Sequence, residues 1–252
     1  ELQKTLPISN AIFAIIKQNN AKYTSPTLGK YSKNEKMAQI QVEVIKKNFP
    51  DLAIKAIPLY VFDEILDSKD HSATVDLLFV GGFNHQPNED GLIWFCNKVF
   101  PLVRNKIPEV RLNVVGSCMP ESISMLACNN IIIHGFLPDE KLTELYEHVR
   151  MTVVPLRFGA GIKGKVLEAM YRGLPVVATS VGAEGIPESE DCMVVRDSAS
   201  DFAESLVEYY KNEESLSDLS KKTQAVMSKY FSRDAALQIV KSDFSYRNER
   251  QI

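Results

Sequence analysis

The chain has 252 residues, 45% of them hydrophobic and 24% charged, which is enough apolar material to bury one large domain or a domain and a fragment. A formal net charge of -3 argues against a nucleic-acid binder, a class that carries a basic excess. Cys96, Cys118, Cys128 and Cys192 lack C-x-x-C spacing and read as reduced core residues rather than disulfides or zinc ligands, the apolar run at 11–16 is too short to span a bilayer, and no D-x-D triplet offers paired aspartates to a metal.

The first seventy or so residues hold two helical patterns, over 8–17 and 35–47, separated by the polar stretch YTSPTLGKYSKNEK. The segment LAIKAIPLYVF then reads as a strand and linker leading into a larger domain. From Asp76 onward, apolar runs rich in Val and Ile at 76–80, 110–115, 130–134, 151–154, 175–178 and 193–195 alternate with helical patterns. That alternation predicts an α/β fold with a Rossmann-like parallel sheet covered by helices on both faces. The chain divides accordingly into an N-terminal region and linker (1–72), the α/β domain (73–231) and a C-terminal helix and tail (232–252).

In the first helix of the domain Asn88 reads as the cap, Glu89 and Asp90 complement the dipole, and Leu92, Cys96, Val99, Phe100 and Val103 share one face. Pro101 is expected to kink or end that helix. Pro138, Asp139 and Glu140 open the next, with Leu142, Leu145 and Val149 toward the core. A last helix over 233–244 precedes the charged tail SYRNERQI. Gly81, Gly116, Gly135, Gly159 and Gly182 all fall just after predicted strands, at the carboxyl edge where open parallel sheets bind ligands.

The stretch PLRFGAGIKGKVLEAMYRGLPVVATSVGAEGI, from Pro155 to Ile186, concentrates the chemistry. Gly159 and Gly161 allow a tight turn into a helix over 162–172, whose opening amides and positive dipole end attract phosphate. Lys163 and Lys165 in that first turn oppose the dipole, a conflict that a bound anion would remove. GAGIKG matches G-x-G-x-x-G, but the next strand ends in Thr179 and Ser180 rather than an acidic ribose ligand. GAGIKGKV fails the P-loop pattern at Val166, which has no hydroxyl for magnesium.

Four blocks, LLFVGGFNHQPNEDGLIWF, RLNVVGS, IIIHGFLPDEKLTELYEHV and the glycine loop with its helix and GLPVVATSVGAEGI, carry a more particular likeness. In order and spacing they resemble the C-terminal domain of GT-B glycosyltransferases of the group 1 (GT4-like) family, over about 75–231. The resemblance implies a retaining, metal-independent transfer from a nucleotide-diphosphate sugar, with no cofactor, to a saccharide or lipid-linked acceptor. It implies that Lys163, Lys165 and Arg157 hold the diphosphate and Glu168 the ribose. Gly81, Gly82, Gly161 and Gly182 would make close backbone contacts, and Gly135, Phe136 and Leu137 would border the base. The implied location is cytoplasmic, compatible with peripheral attachment to a membrane.

Departures from the family pattern are specific. The first glutamate of the paired motif should fall eight positions before Glu168, where Ala160 stands. The loop after the first strand, GGFNHQPNED, supplies neither the arginine nor the lysine found there in many members. No residue is assigned as a general base, and the N-terminal domain expected to carry the acceptor pocket is not recognisable in the first seventy residues. A nucleotide-sugar-binding module, or a domain completed by a partner, is therefore the alternative to an enzyme. Blander readings also stand: Glu168 pairing with Lys165 or Arg172 for roughly 0.3 to 0.5 kcal/mol, Arg157 pairing with a carboxylate, and His134 as a packed or turn-capping residue.

Overall fold

The computed structural model describes residues 61–68, 71 and 74–244, together with two short strands at 15–17 and 53–55. The chain forms two units, one of residues 1–65 with 228–252 and one of residues 66–227. The helical pattern over 35–47, the polar stretch after Lys22 and the tail SYRNERQI lie outside the described residues.

In the first unit, β1 (Ile15–Lys17) pairs antiparallel with β2 (Ala53–Lys55), Ile16 lying opposite Ile54. This corrects the helical expectation for 8–17 at its last three residues. Ile15 and Ile16 are β-branched and suit a strand once a partner is available, and periodicity over so short a run cannot tell the two states apart.

The second unit is built on six parallel strands: β3 (Asp76–Val80), β4 (Leu112–Val115), β5 (Ile131–Gly135), β6 (Val149–Val154), β7 (Val176–Ala178) and β8 (Val194–Val195). Their spatial order is β5-β4-β3-β6-β7-β8, the doubly wound Rossmann order, as the alternation of strands and helices predicts. Every residue of β4, β6 and β7 is buried, so both faces of the sheet are covered. Leu77, Phe79, Leu112, Val114, Met151, Val153 and Val177 form the core together with the helical residues Leu92, Phe95, Val99, Phe100, Phe202 and Leu206.

The first helix, α1 (Gln86–Trp94), runs through a π-helical turn (Phe95–Val99) into α2 (Phe100–Arg104). Pro101 therefore sits in the opening turn of α2, where its missing N–H matters least, and the helical run continues past it to Arg104 rather than ending there. His85, not Asn88, holds the cap position, because Pro87 enters the first turn and shifts the start upstream. After α3 (Glu121–Ser124), α4 (Asp139–His148) leaves Leu142 and Leu145 half-buried and buries Tyr146. Val149 belongs to β6, since the backbone turns extended there.

Beyond β6 come α5 (Gly164–Tyr171), α6 (Ser180–Ala183), α7 (Ser189–Cys192), α8 (Ala199–Lys211) and α9 (Glu213–Val226). From α9, Gln224 donates to the Met170 carbonyl at 2.9 Å and Ser220 to that of Gly173 at 2.7 Å. These bonds satisfy carbonyls at and beyond the end of α5 and so fix the direction in which its first turn points. Buried Arg150 plays a similar part below the sheet, binding the carbonyls of His71 at 2.7 Å, Thr74 at 3.2 Å and Tyr210 at 2.9 Å.

A second π turn (Met227–Phe231) leads to α10 (Arg233–Phe244). Within the first unit Phe62 accepts from the Arg233 amide at 2.9 Å and donates to the Phe231 carbonyl at 2.8 Å. Cys96 and Cys192 are buried, and burial pushes both thiols up to about 12, whereas Cys118 and Cys128 are exposed and correct the reading of all four as core residues. No described helix is long and apolar enough to cross a membrane.

Candidate functional site at the strand-order switch

The order of the sheet reverses between β3 and β6, so the crevice outside their carboxyl ends is where this architecture places a ligand. The Gly81–Gly82 turn follows β3, and the loop 155–163 follows β6 and ends at α5. Gly159 and Gly161 have φ of 125° and 84°, values that L side chains rarely adopt, so the loop's path depends on glycine.

Lys165 lies in the first turn of α5 and points inward. Its Nζ donates to Asn88 Oδ1 at 2.6 Å and stands 4.6 Å from the centre of the Phe79 ring. Burial, with a smaller contribution from the Lys163 charge, pulls its pKa down to about 7. Asn88, itself buried, donates from Nδ2 to the Gly82 carbonyl at 2.7 Å. A side chain that reads from sequence as a helix cap thus joins the two glycine-rich edges of the crevice. No spacing signal marks this contact, because Asn88 and Lys165 are 77 positions apart.

Lys163 is the residue before α5, and its ammonium donates to the Gly161 carbonyl at 2.5 Å and lies 3.4 Å from Glu184 Oε2. The same oxygen accepts the Gly161 amide at 2.7 Å. Glu184, from the turn after α6, is the second residue that sequence reading missed, and the letters VGAEG did contain it.

Neither lysine is turned out into water. Their surroundings differ, however: Lys163 has a carboxylate partner and Lys165 forms no ion pair with any described carboxylate.

Glu168 pairs with Arg172 at 3.0 Å, one helical turn away. Arg172 also donates to Thr143 Oγ1 at 3.2 Å and lies over the Tyr146 ring at 5.4 Å, so the pair fastens α5 to α4. Arg157 is exposed and grips Asp90 of α1 through two bonds of 2.8 and 2.5 Å, which hold the Asp90 carboxyl below its usual range. Gly182 packs against β6, where an added Cβ would stand 2.5 Å from the Val154 carbonyl, and its amide donates to the Thr179 hydroxyl at 3.1 Å. Gly81 closes on Asn88, and Gly82 on Asn84 and Ser117. Leu137 is half-buried beside Phe136, which is 73% exposed in the turn after β5. His134 binds Asn113 Oδ1 through Nε2 at 2.8 Å, and Asn113 in turn donates to Asp76 at 3.2 Å.

The arrangement is one ammonium held by a neutral acceptor, a second ammonium braced by a carboxylate, and a helix start, all at one sheet edge. Residues 74–212, more than half of the chain, match the family described as glycosyl transferases group 1. The chain belongs to the group 1 glycosyltransferases. Its fold is that of the GT-B glycosyltransferases, and the six-stranded sheet is their Rossmann-like α/β layer.

Among similar proteins, an uncharacterized 44.6 kDa protein in the cps region of Klebsiella pneumoniae is 32% identical over 145 residues, covering 54% of this chain and 37% of that protein. The structure of a Staphylococcus aureus TarM variant in complex with fondaparinux, alpha-GlcNAc-glycerol and UDP aligns with a TM-score of 0.62 at 17% identity, covering 81% of this chain and 41% of TarM. The pneumococcal O-GlcNAc transferase GtfA, in complex with UDP and GlcNAc, aligns with a TM-score of 0.60 at 17% identity, covering 81% and 43%. This glycosyltransferase chain thus spans less than half the length of each of these relatives.

Proposed function

We propose that this glycosyltransferase domain binds the nucleotide-diphosphate part of a sugar donor in the crevice between β3 and β6. The observation that carries the reading is the inward-facing Lys165 ammonium, desolvated and without a carboxylate partner among the described residues, in the first turn of a helix whose amides face the same edge. A diphosphate would supply the missing negative charge and would also complement the helix dipole.

In transfer, the sugar leaves from its diphosphate and negative charge grows on the departing oxygen. Lys165 and the opening amides of α5 would stabilise that charge more in the transition state than in the ground state. Lys163 would hold the loop in place through Gly161 and Glu184 while facing the same phosphates. Glu168, with one oxygen held by Arg172, would offer the other to ribose hydroxyls. Exposed Phe136 and half-buried Leu137 would border the base. Retention of configuration and independence of metal follow from the family resemblance and belong to this proposal. TarM and GtfA are described with UDP, which makes UDP and UDP-sugars the first donors to try.

Ala160, in the place of the family's first glutamate, favours a second reading in which the chain binds donor without turning it over. Titration calorimetry with UDP, ADP and GDP and their sugars tests binding, and release of free UDP from UDP-sugars tests chemistry. Saturable binding of one nucleoside diphosphate supports the donor site. Binding without release supports the module, and a folded chain that binds none of them overturns the proposal.

A further inference from the structure

Asn88 and Lys165 come from α1 and α5 and meet between the carboxyl ends of β3 and β6. Both ends of the Asn88 amide are committed, Nδ2 to the Gly82 carbonyl at 2.7 Å and Oδ1 to the Lys165 ammonium at 2.6 Å. The first bond sets the orientation of the second, because a carbonyl accepts only from the NH2 end and therefore turns the oxygen toward the lysine. The glycine turn closes on this amide: a Cβ at Gly81 would stand 2.9 Å from Asn88 Cγ and Nδ2. Asn88 is consequently held on three sides, in a geometry a flexible surface residue would not keep.

The chemical type of the acceptor matters. A carboxylate here would bind the ammonium more strongly and cancel its charge, leaving little for an incoming anion. Among the described residues, the other groups recorded against Lys165 are the Phe79 ring, which has no net charge, and Lys163, which repels it. We propose that Asn88 is a positioning residue for the donor diphosphate: it holds the Lys165 ammonium at the crevice as a neutral acceptor, so that the whole charge is offered to the phosphate oxygens. This rests on the donor-binding reading above. It adds a residue from the β3 side, where the first loop lacks the basic residues of many family members, and explains how a lysine of α5 serves that side.

The test compares wild type with Asn88→Asp and Asn88→Ala, with Lys141→Ala on the exposed face of α4 as a control. In the ligand-free protein, NMR of 13C-labelled lysine follows the Lys165 titration, its signal assigned by loss in Lys165→Arg. Asn88→Asp should raise that pKa, and Asn88→Ala should leave it low or lower it. Calorimetry with UDP at pH 6.5 should show affinity reduced about tenfold in Asn88→Ala, the scale of one lost hydrogen bond to a charged group, and at least as much in Asn88→Asp.

Undiminished UDP affinity in Asn88→Asp would overturn the role of neutrality, and an unchanged Lys165 titration in both variants would overturn the contact itself. A wild type that binds no nucleoside diphosphate, while Lys165 still responds to Asn88, sinks the donor reading and this proposal with it. Wild-type binding with indifferent Asn88 variants sinks only the proposal. If Asn88→Ala does not fold, Asn88→Asp carries the same decision, since it keeps the side-chain volume.

Discussion

Glu184 Oε2 accepts the Gly161 amide at 2.7 Å and lies 3.4 Å from the Lys163 ammonium, so a single carboxylate oxygen from one turn holds the glycine loop of another. The two turns also interlock sterically, since a Cβ at Gly185 would stand 2.5 Å from Ile162 Cγ1. Removing the carboxylate takes the acceptor of the Gly161 amide and one of the partners of the partly buried Lys163 ammonium, which keeps the Gly161 carbonyl. Glu184→Ala should therefore cost about 1 to 3 kcal/mol of stability and weaken UDP binding, with Glu184→Gln in between. Denaturant unfolding and calorimetry on the same samples check both. Unchanged unfolding and binding in Glu184→Ala would show that the contact does not organise the loop.

Affinity for the diphosphate should fall as pH rises through about 7, because the anion prefers protonated Lys165 and burial has brought its pKa down to that region. Lys165→Arg, which keeps its charge at all accessible pH values, should flatten the dependence. The sign for folding is opposite. Between about 7 and the ordinary lysine value of 10.5 the unfolded chain binds more protons than the folded one, so stability rises with pH across that window. Below it both states are charged and the full cost of burying the ammonium is present. Lys165→Met should remove the rise. A wild-type unfolding free energy that falls between pH 7 and 10 by the same amount in both proteins would refute this.

Arg157 and Asp90 form a two-pronged pair at an exposed position. A double-mutant cycle should return a coupling of about 0.2 to 1 kcal/mol, reduced by added salt. Asp90 has its pKa lowered by Arg157, so its contribution is present above the ordinary value of 3.8 and is lost as pH falls through the folded value. If Arg157 serves the donor, Asp90→Asn should tighten UDP binding by freeing the guanidinium. Weaker binding in that variant would instead identify the pair as a brace between α1 and the loop after β6.

Gly116→Ala should be among the most damaging small substitutions, since its Cβ would stand 1.9 Å from the Gly81 carbonyl oxygen. Gly182→Ala should cost less but still measurably, with the Val154 carbonyl at 2.5 Å. Losses of about 2 kcal/mol or more would lower Tm by roughly 4 to 8 °C in a unit of this size. Thermal unfolding by circular dichroism reads both, and wild-type stability in Gly116→Ala would contradict the backbone approach described here.

The α/β architecture was legible in the letters because it follows from local regularities. Runs such as Leu77 to Val80 and Val176 to Ala178 are apolar at every position, as a strand covered on both faces requires, and the patterns between the strands have helical period. Lys163, Lys165 and Glu168 stood out in the sequence as candidates because all three belong to one strand-to-helix turn. Ile15 and Ile16 were misread because three residues take their state from the strand they pair with. Pro101 did not end the run because a π turn upstream reset the helix and made its position the start of a new segment.

Sequence by itself determined the order of strands and helices, the carboxyl edge at which the glycines collect, and the family to which those blocks belong. Tertiary structure alone decided three of the charge partnerships, Asn88 with Lys165, Glu184 with Lys163 and Gly161, and Asp90 with Arg157, and for Glu168 it selected Arg172 from the two partners that spacing had offered. Three of these four couple different elements, by way of residues 21 to 77 positions apart. Hydrogen bonds and ion pairs act over a few ångströms, and no periodicity along the chain records which side chains the folded sheet will bring that close.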